Sequence, residues 1–190
     1  VNDYVSQGER IILSRLIDAV HDGIAALPSH PWWFGTDISD AFHQVPLHPV
    51  EQQFTATSFQ GVYYIFSVLV FGSGSAPTVW GRYAAFIGRS SAALLTPLGG
   101  SIQIFVDDPL YVLPGPRERA TRVATIATLW LTILGFPLAW HKTEAGRTIT
   151  WIGASLSFVS GGVSVTVPDE KVAAITQSLT DIQATPLATR

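Results

Sequence analysis

The run Ile102–Val112, IQIFVDDPLYV, constrains this chain more than any other stretch. Apolar, β-prone residues stand on both sides of two adjacent aspartates, and Pro109 follows them. The pattern predicts a tight β-hairpin with Asp107 and Asp108 at its bend. Two neighbouring carboxylates in so apolar a segment need compensation, because an unpaired buried charge is costly and a cation is the usual remedy. Hard divalent ions such as Mg²⁺ take oxygen ligands and are commonly held by one or two carboxylates plus substrate phosphates. A plain surface turn is the alternative, since Asp is a favoured turn residue.

The rest of the chain sets limits on that choice. Its 190 residues are 47% hydrophobic and 13% charged, which suits a globular protein with one good-sized core or two small ones. The absence of cysteine excludes disulfides and thiolate metal sites. The chain also lacks methionine and starts at Val1, which predicts a fragment or a processed piece. No signal-peptide pattern is present, and the longest apolar run, Tyr63–Phe71, is too short to span a bilayer. No membrane partner and an intracellular location are therefore expected. The net charge of −3 counts against a dedicated nucleic-acid binder, which is usually basic. Metal-binding aspartates or absent basic segments would account for the deficit.

Apolar spacing over Glu9–Leu27 (Ile12, Leu16, Val20, Ile24, Leu27) predicts an amphipathic helix ended by Pro28 and Pro31. Trp32–Ile38 reads as a buried strand with Asp37 near its end, and Ser39–Phe42 as a turn or short helix. Phe54–Phe59 and Val62–Val70 read as a hairpin about Gln60-Gly61. Phe71–Ser75 is a small-residue loop, followed by a helix with Ser75 as candidate N-cap, Pro77 in the first turn and an apolar stripe of Val79, Trp80, Tyr83, Phe86 and Ile87. Pro116–Leu134 predicts a helix closed by Gly135, its Arg117, Arg119 and Arg122 forming a solvated face. Leu138–Lys142 and Thr148–Phe158 read as strands, Gly161-Gly162 as a turn into the strand Val163–Val167, and Pro168-Asp169 as the start of a helix with Val172, Ile175, Leu179 and Ile182 on one side. The mixed order predicts an α+β fold with an antiparallel sheet. His43 and His48 lack a third partner and form no metal-ligand pattern.

If the strand ending at Asp37 neighbours the double-aspartate hairpin, three carboxylates converge on one sheet edge. Such an arrangement can hold two cations about 3.5–4 Å apart and clamp the attacking and leaving oxygens of phosphoryl transfer. That chemistry is mainly positioning and charge stabilisation.

Five segments then carry a family resemblance. TDISDAFHQVPLHP (Thr36–Pro49) resembles the first acidic motif of reverse transcriptases of LTR-type and related retrotransposons. LVFGSGSAP (Leu69–Pro77) resembles their "LPFG…AP" motif, and FVDD (Phe105–Asp108) their "Y-hydrophobic-DD" box. LGFPLAWHKTE (Leu134–Glu144) is similar to the segment ending in a lysine, and WIGASL (Trp151–Leu156) to the "LG" hairpin after it. The order is the family's. Val70 departs from its usual proline, Ser73 from a bulkier residue, and Pro109 after the aspartates is also a departure; none removes an acidic residue.

The resemblance implies a right-hand polymerase palm, an antiparallel sheet backed by helices, with partial fingers and the start of a thumb. It divides the chain into partial fingers (1–30), palm (31–50), a fingers hairpin (51–70), palm (71–158) and the start of the thumb (159–190). It implies that Asp37, Asp107 and Asp108 bind two Mg²⁺ ions, or Mn²⁺ in their place. Asp40 and Ala41 would lie beside the triphosphate, Phe42 under the sugar, Phe71 and Gly72 at the border of incoming nucleotide and template, and Lys142 near the phosphates. Trp151, Ile152 and Gly153 would grip the primer. Partners would be an RNA or DNA template with its primer, deoxynucleoside triphosphates and the remainder of a retroelement polyprotein. The expected activity is RNA-directed DNA synthesis, with the fragment alone weakly active or inactive. Two rivals are a degenerate or domesticated remnant that only binds nucleic acid, and a template-dependent RNA polymerase. Phe42 speaks against the latter, because a bulky ring there would meet the ribose 2′-hydroxyl.

Overall fold

The computed structural model describes residues 11–184. In chain order its elements are helix α1 (Leu16–Ala26), strand β1 (Trp32–Gly35), the single-turn helix α2 (Pro49–Gln52), strands β2 (Ala56–Phe59) and β3 (Val62–Ile65), and helix α3 (Ala76–Leu95). Strands β4 (Ser101–Phe105) and β5 (Asp108–Leu113), helix α4 (Arg117–Ile133), strands β6 (Glu144–Gly146), β7 (Thr148–Trp151), β8 (Ala154–Val159) and β9 (Gly162–Thr166), and helix α5 (Asp169–Ala184) follow.

The central sheet has the order β4-β5-β1-β6, with every neighbour antiparallel. Its two inner strands are apolar on both faces, and strand alternation divides them between two cores. Trp33, Leu110 and Val112 face α1 and the β7-β8-β9 sheet, where Ala19, Ile149, Trp151 and Leu156 meet them. Phe34, Tyr111 and Leu113 face the other way, toward Leu95 of α3 and Ala120, Val123 and Ala127 of α4. A third core at the sheet's end gathers Ile38, Phe42, Leu69, Trp80, Ile87 and Leu131. The expected mixture of helices and antiparallel sheet is present. No helix among the described residues is long and apolar enough to cross a membrane.

Several expected elements differ. Helix α1 starts at Leu16, not Glu9, and Ile12 is 88% exposed; Glu9 and Arg10 lie outside the described residues. The start is fixed by Asp18, whose carboxylate accepts from the Arg15 backbone N–H at 2.8 Å and pairs with its guanidinium at 2.9 Å. Leu138–Lys142 is not a strand. Leu138 makes one isolated bridge to Ile38, and Trp140–Lys142 is a 3₁₀ turn. Thr148–Phe158 is two strands, β7 and β8, because the chain reverses at Ile152 and Gly153, both with positive φ (39° and 86°). Ser75 stands at the start of α3 without capping it by a side-chain bond. The stripe of α3 is also rotated. Trp80 and Ile87 are buried together with Ala84 and Ser91, while Tyr83 and Phe86 are exposed. Close approach of the helix selects small residues, which a search for large apolar ones ranks low.

Candidate active site

The double-aspartate hairpin bends at Val106 and Asp107, since Phe105 pairs with Asp108. Asp107 thus sits in the turn and Asp108 opens β5. Val106 has φ +57°, a conformation rare for a β-branched residue.

Asp37 reaches this turn through the ladder. Beyond Gly35 opposite Leu110, the Thr36 N–H donates to the Pro109 carbonyl at 3.2 Å and the Ile38 N–H to the Asp107 carbonyl at 2.9 Å. Asp37 therefore lies across from Asp108 at a position between two ladder hydrogen bonds, where side chains of opposed residues approach most closely. Asp37, Asp108, Lys142, Glu144 and Trp151 line one cavity of about 170 Å³. Asp107 is half-buried beside them.

The charges are unbalanced. Burial, and after it the charges of Asp37, Asp107 and Glu144, push the Asp108 carboxyl up to about 7, while Lys142 opposes the shift. Burial and then Asp37 also raise Asp107. The Lys142 ammonium donates to Asp37 Oδ2 at 2.9 Å, and this hydrogen bond, with the carboxylate charge, raises the amine's pKa.

The oxygen donors and their unrelieved negative charge fit a hard divalent cation. In this arrangement, however, Lys142 is the counter-ion of Asp37. Among the described residues no group of three or more His, Asp or Glu side chains is placed to hold a metal ion. The close three-carboxylate cluster expected from the sequence is therefore a pair across the ladder with a third carboxylate in the adjoining turn.

The other predicted residues fall into a second region. Phe71 and Gly72, with His43, Phe54, Phe66 and Leu69, line a cavity of about 1020 Å³ beside the β2–β3 hairpin. Gly72 has φ +86° and Phe71 is 68% exposed. Phe42 is buried, with its ring 4.8 Å from that of Phe71 and 6.2 Å from that of Trp80. Asp40, at φ +50°, precedes the 3₁₀ turn Ala41–Gln44 without a side-chain cap, and Ala41 is buried. Trp151 is 2% exposed, so the β7–β8 turn presents Ile152 and Gly153 at its tip, not that ring. A Cβ on Gly153 would stand 3.0 Å from Lys171 Nζ, which places the amine of α5 over this turn.

Glu144 was not among the residues predicted from sequence. It opens β6 opposite Gly35, two residues beyond Lys142. The alternation in Lys142-Thr143-Glu144, whose middle hydroxyl bonds Thr36 at 3.1 Å, is the signal that would have found it.

Comparison with known proteins agrees with this fold. A 102-residue stretch is 29% identical to the Gag-Pol polyprotein of walleye dermal sarcoma virus, covering 54% of this chain and 6% of that protein. The foamy viral protease-reverse transcriptase in complex with an RNA/DNA hybrid superposes with a TM-score of 0.58 at 18% identity, over 76% of this chain and 18% of the other. The native prototype foamy virus protease-reverse transcriptase gives 0.59 at 18% identity, over 83% and 20%. The complex of the foamy viral enzyme with dsDNA gives 0.55 at 19%, over 76% and 28%. The chain thus spans a small fraction of the length of these relatives, and the structural likeness establishes the fold. Residues 6–156 match the family of the reverse transcriptase (RNA-dependent DNA polymerase), and the chain belongs to that family.

Proposed function

We propose that this chain is the palm-centred core of a polymerase that joins a primer 3′-hydroxyl to a deoxynucleotide on an RNA or DNA template. The observation that carries the reading is Asp37 opposite Asp108 in one cavity, with Asp107 in the adjoining turn. Asp37, Asp107 and Asp108 would hold Mg²⁺, or Mn²⁺, and bound ions would supply charge neutralisation for the phosphates and for the attacking and leaving oxygens. Lys142 would exchange its bond to Asp37 for the triphosphate and stand ready to donate a proton there. Phe42, Phe71 and Gly72 would border the nucleotide, with Phe42 turned toward C2′ of the sugar. The backbone of Asp40 and Ala41 would face the triphosphate, and Ile152 and Gly153 would grip the primer. Residues 31–50 and 71–158 would form the palm, 1–30 and 51–70 parts of the fingers, and 159–190 the start of the thumb. The parent would be a retroelement polyprotein.

In the polypeptide that carries this domain, Asp37→Asn and Asp107→Asn should each abolish nucleotide incorporation while the unfolding transition stays cooperative. Incorporation that survives either change would overturn the reading. The ion pair of Lys142 with Asp37 favours one second reading, a domesticated remnant in which a lysine replaces the metal. Mn²⁺ that fails to bind the wild-type chain would select it.

A further inference from the structure

Building on the polymerase reading, we propose that Trp80 and Trp151 are positioning residues that brace the double-aspartate turn from two sides through their indole N–H groups. The Trp80 Nε1–H donates to the Val106 carbonyl at 2.8 Å, and the Trp151 Nε1–H to the Asp108 carbonyl at 3.0 Å. One donor comes from α3 and the other from β7, on separate cores of the molecule. Between them the Asp107 carbonyl accepts from the Ile38 N–H at 2.9 Å. Three consecutive carbonyls of the turn are thus held by three different segments. Each carbonyl fixes a peptide plane, and the planes on either side of Asp107 and Asp108 set where their carboxylates point.

The brace answers a need. A β-branched residue at φ +57° persists only where its surroundings over-determine it, and Val106 occupies that conformation at the centre of the turn. Pro109 removes one backbone donor just after the aspartates. Burial of an indole does not by itself produce these bonds. Trp33, completely buried, has an Nε1 with no hydrogen-bond partner. Both bracing rings are buried, at 1% and 2% exposure. Trp80 packs near Phe42, Tyr83 and Phe136, so its N–H is delivered at a fixed height above the turn.

The test separates the N–H from the ring. Trp80→Phe and Trp151→Phe keep an aromatic ring and delete the donor. In the full polypeptide, each should lower kcat per titrated active site about three- to tenfold, with KM for the deoxynucleotide within about twofold. Rings that only fill the core would leave kcat per active site unchanged in the Phe variants and reduce only the folded fraction. A second readout uses the ¹⁵N-labelled 190-residue chain and needs no activity. The indole protons of Trp80 and Trp151 should lie downfield of that of unpartnered Trp33, and Trp80→Phe should shift the amides of Asp107 and Asp108. Unshifted amides, or indole protons like that of Trp33, would overturn the brace. A wild-type polypeptide without incorporation would refute the polymerase reading instead, and the spectra would still decide the brace.

Discussion

Replacing Asp108 by Asn should stabilise the metal-free chain above pH 7 and leave it unchanged near pH 4. Burial and the charges of Asp37 and Asp107 push this carboxyl from 3.8 up to about 7. The proton is then bound more tightly in the folded chain than in the unfolded one. Its stabilising contribution is complete below the unfolded value, near 4, and is lost as the pH rises through 7. Asn imitates the protonated form and does not titrate. Wild-type and variant stabilities should therefore coincide at low pH and separate between about 4 and 7. At 1.36 kcal/mol per unit the separation has a ceiling of about 4 kcal/mol. The carboxylate keeps access to the cavity, so screening by water reduces the expected gain to about 2 kcal/mol. For a chain of this size that corresponds to roughly 4–8 °C in Tm.

The assay is urea unfolding in EDTA, followed by tryptophan fluorescence at pH 4, 5, 6, 7 and 8. Asp18 titrates in the opposite sense, because Arg15 holds its carboxyl down to about 2, but that change falls below pH 4 and leaves the window clear. Equal stability of the two chains at pH 8, or a larger gap at pH 4 than at pH 8, would refute the argument that burial and like charge load this carboxylate.

Three other outcomes follow from the same structure. Mg²⁺ at ten times its Kd should stabilise the wild-type chain by about 1.4 kcal/mol, and the Asp37→Asn chain much less; equal shifts in thermal melts would remove Asp37 from the metal site. Gly23→Ala should destabilise by about 1–3 kcal/mol despite the better helix propensity of Ala, because a Cβ there would stand 2.7 Å from the buried Trp33 Cη2 and 2.9 Å from Val163 Cγ2; a neutral or stabilising result in urea would show that α1 can move off the sheet. Phe42→Ala should cost about 3–5 kcal/mol as a core truncation and, in the full polypeptide, raise kcat/KM for GTP relative to dGTP about tenfold or more; an unchanged ratio would leave Phe42 with its packing role alone.

The centre of the molecule was legible in the sequence, and its margins were not. Charge inside an apolar run is rare enough that the two aspartates marked the hairpin, although its bend falls one residue earlier, at Val106 and Asp107, with Asp108 already in β5; Gly135 at φ +85° closed α4 where its freedom of φ predicts. Trp32–Ile38 and the apolar run after Pro109 read as strands because both faces of the sheet are covered, although the first strand ends at Gly35. Elsewhere periodicity told which residues are apolar together but not what covers them. Val172, Ile175, Leu179 and Ile182 line one side of α5 as expected, yet each is 49–66% exposed. Both faces of the β2–β3 hairpin are exposed too; the aromatic, β-branched composition that predicted the hairpin carries no information on what covers it. The 3₁₀ turn at Trp140–Lys142 escaped because its apolar lead-in, Leu138-Ala139, is buried by the single bridge to Ile38 and needs no strand.

The site itself depends on a quantity that spacing alone does not carry, the register of β1. This strand lies between β5 and β6 although some seventy residues separate it from the first and more from the second. It therefore brings Asp37 beside Asp108 on one side and Glu144 on the other. A slip of one residue would turn every side chain of β1 to the opposite face. Trp33 would then leave the pocket where it stacks on Phe158 at 4.4 Å, and Phe34 would leave Tyr111. Asp37 would turn away from Asp108 in the same movement. Exchanging two large aromatic residues between differently shaped cores costs several kcal/mol, more than the repulsion between two partly hydrated carboxylates. The packing of Trp33 and Phe34 thus holds the acidic pair together against its own charge, and Lys142 relieves what remains.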